Sequence, residues 1–261
     1  MASTPGSSSS GPATRTEKDP LGAIDVPSSA LYGAQTARAT QNFPISGMRP
    51  LPMFVTAVVW IKKAAALTHK QTGRLDPRLA DAIVAAADEI LNGGHREHFV
   101  VDVFQAGAGT SHNMNINEVL ANLANEHLGS ARGSYAPIHP NDHVNMAQST
   151  NDVIPTAIRL GALALAMDLI RVLNQLTDAF HAKGREFDDV LKSGRTHLQD
   201  AMPIRLGQEF RAYGVSIARN IQRIASASRF LRDLGTGRHA VGPGLNAEPD
   251  WPHPLGRRYP H

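Results

Sequence analysis

The longest hydrophobic pattern in the chain begins near Asn151. Its apolar positions recur at spacings of three and four residues and comprise Ile158, Ala162, Leu165, Leu169, Val172, Leu176 and Phe180. Such a stripe is typical of a long amphipathic helix that packs in a bundle. A second stripe follows Pro203 and comprises Leu206, Phe210, Ile217, Ile221, Ile224 and Leu231. The two stripes predict two long helices joined by a polar elbow at residues 192–201.

Shorter helices are predicted upstream of this pair. The segment 53–69 is rich in alanine and aliphatic residues. Asp76 followed by Pro77 marks a helix start, because Asp caps free N–H groups and Pro fits the first helical position. That helix should end at the Gly93-Gly94 pair, since glycine stops helices. A further helix is predicted over about 113–128.

These patterns predict a mainly α chain. Residues 1–17 are rich in Ser, Gly, Pro and Thr and should form a disordered tail. A small mixed, irregular N-terminal helical domain should occupy 18–139, and repeated Pro and Gly make its first part, 18–50, an extended lead-in. A partial long-helix bundle should occupy 140–234, followed by an irregular tail at 235–261. Two helices cannot enclose a core, so their apolar face should meet further helices of this chain or of partners.

Composition narrows the classes of function. The chain has 261 residues, a net charge of +3, 5% aromatic residues and no cysteine. A small, dispersed positive charge and few aromatic rings argue against a nucleic-acid partner. Without cysteine there is no disulfide, thiol nucleophile or Cys-based metal site. No apolar run approaches the roughly 18 residues of a membrane span, and the first residues lack the apolar segment of a secretory signal. We therefore expect a cytoplasmic protein.

Two loops place small polar residues at predicted helix starts. The segment 107–115, GAGTSHNMN, combines glycines with hydroxyl groups, and the segment 148–152 precedes the long helix. Free backbone N–H groups at such positions suit an anion such as a carboxylate. The side chains available for this role are Thr110, Ser111, Ser149, Thr150 and Asn151. Simple helix capping with nothing bound explains the same residues.

One histidine in the elbow and a pair of histidines upstream are also candidates. His197 lies in the polar elbow, where it could orient a substrate, stabilise charge or transfer a proton, or could simply be a surface histidine. The segment 95–98 has H-x-x-H spacing but lacks the H-E-x-x-H arrangement and follows a Gly-Gly stop. We therefore expect no metal site there.

Four segments together resemble the aspartase/fumarase superfamily, in that family's order and spacing. They are GAQT at 33–36 with NFPISG at 42–47, GAGTSHNMNINEVLAN at 107–122, HPNDHVNMAQSTNDVIPTA at 139–157, and GRTHLQDAMPIRLGQEF at 194–210. The residues flanking Thr110, the Ser149-Thr150-Asn151 run and Phe43-Pro44-Ile45 are most similar to aspartate ammonia-lyases. The HPND run also occurs in class II fumarases.

The resemblance implies a cofactor-free and metal-free elimination in which aspartate loses ammonia to give fumarate. A Cβ proton is removed, and donors stabilise the resulting aci-carboxylate. Carried over by motif, the residues that bind substrate would be Thr110, Ser111, Ser149, Thr150, Asn151 and Thr196. His197 would support the site electrostatically. A secondary anion site would be formed by His139, Asn141 and Asp142. The resemblance also implies a homotetramer and a small dicarboxylate as the other partner.

One part of the family pattern is missing from this sequence. The family's catalytic base is a serine in a G-S-S-x-M-P-x-K-x-N loop, and no such run is present. The resemblance covers about residues 18–249, roughly the N-terminal half of a family member. We therefore expect a truncated chain that is inactive alone. The alternatives are a class II fumarate hydratase, which eliminates water instead of ammonia, and a non-catalytic fragment that assembles with a longer subunit.

Overall fold

A computed structural model of the chain describes residues 13–237 and 240. The first part of the predicted tail at 1–17 and most of the predicted tail at 235–261 lie outside these residues. The described chain is mainly α, as predicted. It divides into two compact units. The first unit comprises the described residues up to Ile158 and those from Gly235 onward. The second unit comprises Arg159–Leu234. The sequence had placed this boundary after residue 139.

The first unit begins with a hairpin that the sequence analysis missed. Strand β1 (Thr14–Asp19) pairs antiparallel with strand β2 (Gly22–Pro27), and helix α1 (Ala34–Asn42) follows. The prediction of a disordered tail through residue 17 and of an irregular lead-in is therefore wrong here. The Pro and Gly signals were real, but they mark the tight turn of a hairpin, in which Gly22 adopts a φ of 117°.

Three helices form the core of the first unit. They are α2 (Pro52–Gln71), α3 (Pro77–Leu91) and α4 (Thr110–His127). The predicted cap is confirmed, because the Asp76 carboxylate accepts hydrogen bonds from the backbone N–H groups of Arg78 and Leu79. Helix α4 begins three residues earlier than predicted. The apolar side chains that are completely buried between these helices include Val58, Ile61, Ile83, Ile90 and Leu120.

Helix α4 is buried along most of its length although it is rich in asparagine. Its amides bond to the irregular segments around it: Asn122 donates to the carbonyl of Leu31 at 2.8 Å, and Asn125 donates to the carbonyl of Ile138 at 2.8 Å. Buried polar groups need such partners. The connections of this unit, including a 3₁₀ turn at Arg96–His98 and a π-helical turn at Pro140–Val144, are therefore fixed by a polar core.

The second unit is built on two long helices. Helix α5 (Thr150–Glu186) starts in the first unit and continues into the second, where strands β3 (Leu191–Thr196) and β4 (Gln199–Arg205) precede helix α6 (Leu206–Ser228). A 3₁₀ turn at Arg229–Arg232 ends the unit. The polar elbow is thus a β-hairpin, and the second helix starts at Leu206 rather than directly after Pro203. A two-stranded ribbon has only edge strands, which tolerate proline.

The predicted apolar stripe of α5 is largely exposed in the single chain. Leu165, Leu169 and Val172 are each 48% exposed. An 18-residue window of this helix has a mean hydropathy of 1.7, which is enough by length and composition for a membrane span. This corrects the expectation that no apolar segment reaches that range. Core helices of soluble proteins pass the same test, and the absence of a membrane partner stays a prediction.

Candidate active site

The glycine-rich loop before α4 is shaped by three consecutive residues with left-handed backbone. Gly107, Ala108 and Gly109 have φ angles of 79°, 48° and 79°. A Cβ on Gly109 would lie 2.7 Å from Cγ1 of Ile154, so only glycine allows this close contact with α5. The turn leaves Thr110 exposed and Ser111 half-buried in the first turn of α4. Backbone N–H groups without helical partners lie at this position.

The second polar loop forms the start of α5. The buried Asp152 carboxylate accepts a hydrogen bond from the backbone N–H of Ser149 at 2.9 Å, and the Ser149 hydroxyl oxygen accepts from the side-chain amide of Asn151 at 3.1 Å. Capping is therefore a real part of this motif. Thr150 is half-buried and Asn151 is exposed. Hydroxyl and amide groups therefore surround the N-terminus of the longest helix in the chain.

The structure brings these two predicted loops together. The side-chain amide of Asn113, in the first turn of α4, donates to the Asn145 side-chain oxygen at 3.1 Å. The Asn145 amide in turn donates to the Gln148 carbonyl at 3.2 Å, directly before Ser149. Two helix N-termini with neutral donors are thereby held in one unit.

Lys62 of α2 is a central residue of this network, and the sequence analysis missed it. Its ammonium group is completely buried and donates to the side-chain oxygens of Asn145, at 2.8 Å, and Gln148, at 3.0 Å. Burial lowers the pKa of Lys62 to about 7, although the nearby Asp152 carboxylate favours the charged form. A signal did exist, because Lys62 lies three and four residues from Val59 and Val58 on the apolar face of its helix.

The family-like motif at 33–36 is held by the buried carboxylate of Glu118. Its oxygens accept hydrogen bonds from the backbone N–H groups of Gly33 at 2.8 Å, Gln35 at 3.0 Å and Thr36 at 3.1 Å. A Cβ on Gly33 would lie 2.0 Å from the Tyr135 hydroxyl oxygen, which explains the glycine. Burial raises the pKa of Glu118, against the effect of these hydrogen bonds. This motif therefore positions α1.

The motif at 42–47 is held in a similar way by Asp102. The Asp102 carboxylate accepts from the backbone N–H groups of Ser46 at 2.7 Å, Gly47 at 2.8 Å and Phe104 at 2.8 Å. Burial opposes ionisation of Asp102, but these donors outweigh it and hold its pKa at about 2. Sequence analysis missed Asp102 and Glu118 because both act across long sequence separations.

Ser111 lines a cavity of the first unit. This cavity has a volume of about 340 Å³, and its lining includes Arg38, Asn42 and Phe43. The Arg38 guanidinium also pairs with Asp19, at 2.8 Å between Nε and Oδ2. The cavity is therefore lined by the Ser111 hydroxyl, which is predicted to bind a carboxylate, by the Asn42 amide and by the Arg38 guanidinium, whose charge Asp19 partly neutralises.

The predicted secondary anion site lies on the π-helical turn. The His139 Nδ1 atom accepts from the backbone N–H groups of Asn141 and Asp142, both at 3.3 Å. His139 and Asn141 line a second cavity of about 160 Å³ that also contains Glu118 and Asp19. Asp142 is exposed beside His139. The three predicted residues thus lie together, but carboxylates share their cavity.

Thr196 and His197 lie in the second unit, at the turn between β3 and β4. His197 and Leu198 have φ angles of 51° and 61°, as in a two-residue hairpin turn of type I′. Neither residue is glycine, so the turn stores backbone strain of a kind that often accompanies functional positions. Both Thr196 and His197 are exposed. The exposed position of His197 is consistent with the predicted accessible histidine in a polar elbow.

Comparison with known proteins identifies the family. A family model described as Lyase matches residues 22–255. The chain belongs to this lyase family. The motifs at 33–36, 107–122, 139–157 and 194–210 all fall within the matched region, so the aspartase/fumarase resemblance is confirmed.

Curated relatives of this lyase chain carry two different names. The aspartate ammonia-lyase of Bacillus subtilis (strain 168) is 48% identical over 237 residues, which cover 91% of this chain and 50% of the relative. The class II fumarate hydratase of Halobacterium salinarum is 52% identical over 239 residues, which cover 91% of this chain and 51% of the relative. The chain spans about half the length of the curated relatives it matches.

Solved structures agree with the family and the fold. A fumarate lyase:delta crystallin from Brucella melitensis bound to cobalt has a TM-score of 0.88 and 47% identity, with 95% of this chain and 53% of that chain covered. A recombinant class II fumarase from Schistosoma mansoni has a TM-score of 0.88 and 39% identity, with 93% and 51% covered. The mainly α architecture of this lyase chain is therefore shared with lyases that have been solved.

The donors brought together in this lyase chain are uncharged at neutral pH. Thr110, Ser111 and the 149–151 run contribute hydroxyl, amide and backbone N–H groups at two helix N-termini. Such an arrangement binds carboxylates and stabilises negative charge that develops on them.

Proposed function

We propose that the chain carries the carboxylate-binding part of an aspartate ammonia-lyase active site, which converts L-aspartate to fumarate and ammonia. The observation that supports this most strongly is the joining of the loops at 107–115 and 145–151 through Asn113, Asn145 and Lys62. This network sets two helix N-termini with neutral donors beside each other. A dicarboxylate needs two such anion-binding positions.

The proposed chemistry follows from where charge develops. Removal of a Cβ proton breaks a C–H bond, and its electron pair moves into the adjacent carboxylate to give an aci-carboxylate. The electrons then return to form the C=C bond as the Cα–N bond breaks and ammonia leaves. Donors from Thr110, Ser111 and the 149–151 run would stabilise the intermediate, which carries more negative charge than the substrate. Preorganised donors of this kind lower barriers because they need no rearrangement during the reaction.

Thr196 and His197, in the second unit, are further substrate contacts that the resemblance implies. In the family pattern, the threonine binds substrate and the histidine supports the site electrostatically. Their exposed position on a strained two-residue turn favours a role in contacting a bound molecule. The proton-abstracting serine of the family pattern has no counterpart in this sequence, so we infer that the chain alone does not turn over aspartate.

Class II fumarate hydratase is the second candidate function. The HPND run at 139–142 and the 52% identity to the Halobacterium salinarum fumarate hydratase favour it. The same donors would stabilise the corresponding aci-carboxylate formed from malate, which loses its hydroxyl group as water instead of ammonia. A non-catalytic role as an assembly partner is the third candidate, and the missing serine loop favours it.

We further propose that the chain works as a homo-oligomer, a tetramer in its complete form. The exposed stripe of α5, which includes Leu165, Leu169 and Val172, supports this. Apolar faces of this extent are unfavourable in water and normally pack against another chain.

A complementation assay separates the candidates. The full chain is assayed alone and after mixing with the separately purified C-terminal half of the Bacillus subtilis aspartate ammonia-lyase, with fumarate followed at 240 nm. We expect fumarate from aspartate in the mixture and none from the chain alone. Fumarate from malate only would establish the hydratase instead. No turnover of either substrate, from a mixture that assembles, would contradict both catalytic proposals.

A further inference from the structure

A cluster of histidines and glutamates lies at and just beyond the end of α3. Ligand atoms of His95, Glu97 and His98 all lie within 4.8 Å of one another. Glu89 and His127 adjoin this group, which we call the His95 cluster. The proposed elimination assigns no role to any of these five residues.

The local backbone explains how residues so close in sequence converge. Helix α3 ends at Leu91, and His95 then adopts a left-handed conformation with a φ of 61°. A 3₁₀ turn over 96–98 follows at once. As a result the rings of His95 and His98 stack with centroids 6.2 Å apart and 26° between their planes. The sequence analysis expected no metal here, because the segment lacks the H-E-x-x-H arrangement and follows a Gly-Gly stop. The turn nevertheless brings the two rings of the H-x-x-H segment together.

Glu89 fixes the orientation of the His95 ring. Its Oε2 atom lies 3.0 Å from His95 Nε2, and its Oε1 atom lies 2.7 Å from His127 Nε2. A His95 ring that donates Nε2–H to Glu89 keeps the lone pair of Nδ1 free. A carboxylate behind a histidine in this way is the usual support of a metal-bound imidazole, because it fixes the ring and raises its basicity. The hydrogen bond from His95 also helps to keep the pKa of Glu89 below its ordinary value.

His98 is the most buried side chain of the cluster, with 14% of its surface exposed. Its Nε2 atom lies 3.3 Å from Glu97 Oε1, and its Nδ1 atom accepts a long, 3.4 Å hydrogen bond from the backbone N–H of Leu31. Ligation through Nε2 replaces the contact with Glu97 and moves the ring proton to Nδ1, so the Leu31 N–H must turn away from this ring and take another acceptor.

We propose that His95, Glu97 and His98 bind one divalent transition-metal ion of the zinc class, with water completing its coordination. Two imidazoles and one carboxylate form a ligand set that Zn²⁺ accepts readily. The ion would cross-link the two ends of the turn at 95–98 and so make the connection between α3 and α4 more rigid. That connection matters locally, because the His98 carbonyl accepts from the Asn115 amide of α4 at 3.0 Å.

Zinc titration of the full chain by isothermal calorimetry tests this site. We expect one site that depends on the cluster, lost in His95→Gln and weakened at least tenfold in Glu97→Gln. Glu97 is 69% exposed, so its substitution by Gln leaves the fold intact. Glu186→Gln, at an exposed glutamate of α5 that is 54% accessible, is the matched control and should keep the wild-type affinity. Zinc affinity that is unchanged in both His95→Gln and Glu97→Gln would overturn the proposal, as would the absence of binding to the wild type.

Thermal unfolding provides a second readout that does not depend on catalysis. Zinc at a hundred times its dissociation constant should raise the Tm of the wild type by about 5 °C or more. The same zinc concentration should leave the Tm of His95→Gln nearly unchanged, because that variant is expected to lose the site. An equal rise in both proteins would place the bound ion elsewhere and contradict the assignment.

Discussion

The two units of the chain solve the problem of burying apolar surface in different ways. In the first, helices α2, α3 and α4 completely bury side chains such as Ile83 and Leu120. In the second, aromatic side chains connect α5 and α6, such as the Phe180 and Phe210 rings with centroids 6.2 Å apart. Most of the α5 stripe stays exposed. The difference shows that the first unit encloses a core of its own, and it supports the proposal that the second packs against helices of another chain.

Close contacts at glycines occur in the second unit as well as in the first. A Cβ on Gly207 would lie 2.3 Å from the Gly184 carbonyl oxygen, and one on Gly214 would lie 2.9 Å from the His181 ring. Glycine thus allows α5 and α6 to approach each other closely at these positions, while aromatic rings fill the space between them elsewhere. This arrangement joins the pair but leaves their outer apolar faces for other partners.

The largest expected effect is on the stability of the first unit. Lys62→Met removes the buried ammonium group that donates to Asn145 and Gln148 and leaves Asp152 without its cation. Breaking a buried charge network of this type costs about 3–5 kcal/mol. Urea unfolding should therefore show a large loss of stability. Loss of less than about 1 kcal/mol would mean that the network does not hold the first unit together.

A smaller effect is expected on turnover in the complementation mixture. Thr110→Val removes one hydroxyl donor from the proposed carboxylate site and should lower kcat by about a hundredfold, as for other single donors to developing charge. Thr110→Ser keeps the hydroxyl and should retain most of the activity. Thr72→Val, at an exposed threonine outside the site, is the control for surface substitution. Equal rates for Thr110→Val and Thr110→Ser would remove Thr110 from the site.

The pH dependence of stability sharpens the role of Lys62. Its folded-state pKa is about 7, against an ordinary value of 10.5. Between these two values the unfolded chain binds more protons than the folded chain, so the contribution of Lys62 to the free energy of unfolding rises with pH through this window. Urea midpoints at pH 7 and pH 9.5 should therefore diverge between the wild type and Lys62→Met, with the larger difference at pH 9.5. A difference that shrinks as pH rises would contradict the lowered pKa.

The smallest effect on folding is expected in the second unit. Leu169→Gln lies on the exposed stripe of α5 and should change the stability of the isolated chain by no more than about 0.5 kcal/mol. It should nevertheless shift assemblies toward smaller species, because it puts a polar group into the apolar face. Sedimentation velocity of wild type and variant measures this. An unchanged distribution would show that the stripe is not an interface.

The helices were predictable because their signals are local. The cap at Asp76, the glycines after α3 and the three-and-four spacing of α5 each lie within a few residues of the feature they specify. The hairpins were missed because strand pairing depends on a partner segment, and Pro203 was taken as a helix start. The long-range polar network could not be deduced from spacing, since Glu118 bonds to Gly33 and Lys62 bonds to Asn145 only after the chain has folded.

The candidate site was predicted in part for the same reason. Thr110, Ser111 and the 149–151 run were found from glycine and helix-start signals, but their joining through Asn113 and Asn145 required tertiary structure. No metal site was expected at 95–98, because the segment lacks the H-E-x-x-H arrangement and follows a Gly-Gly stop. A left-handed residue followed by a 3₁₀ turn brings the same residues together.

Amide hydrogen exchange with and without fumarate tests the central claim most directly. The full chain is measured alone and in the complementation mixture, with peptides that cover 107–115 and 145–151. The account predicts that fumarate slows exchange in both loops together, and that Thr110→Val weakens the protection of both. Protection of neither loop in the mixture, or of one loop without the other, would contradict a shared carboxylate site.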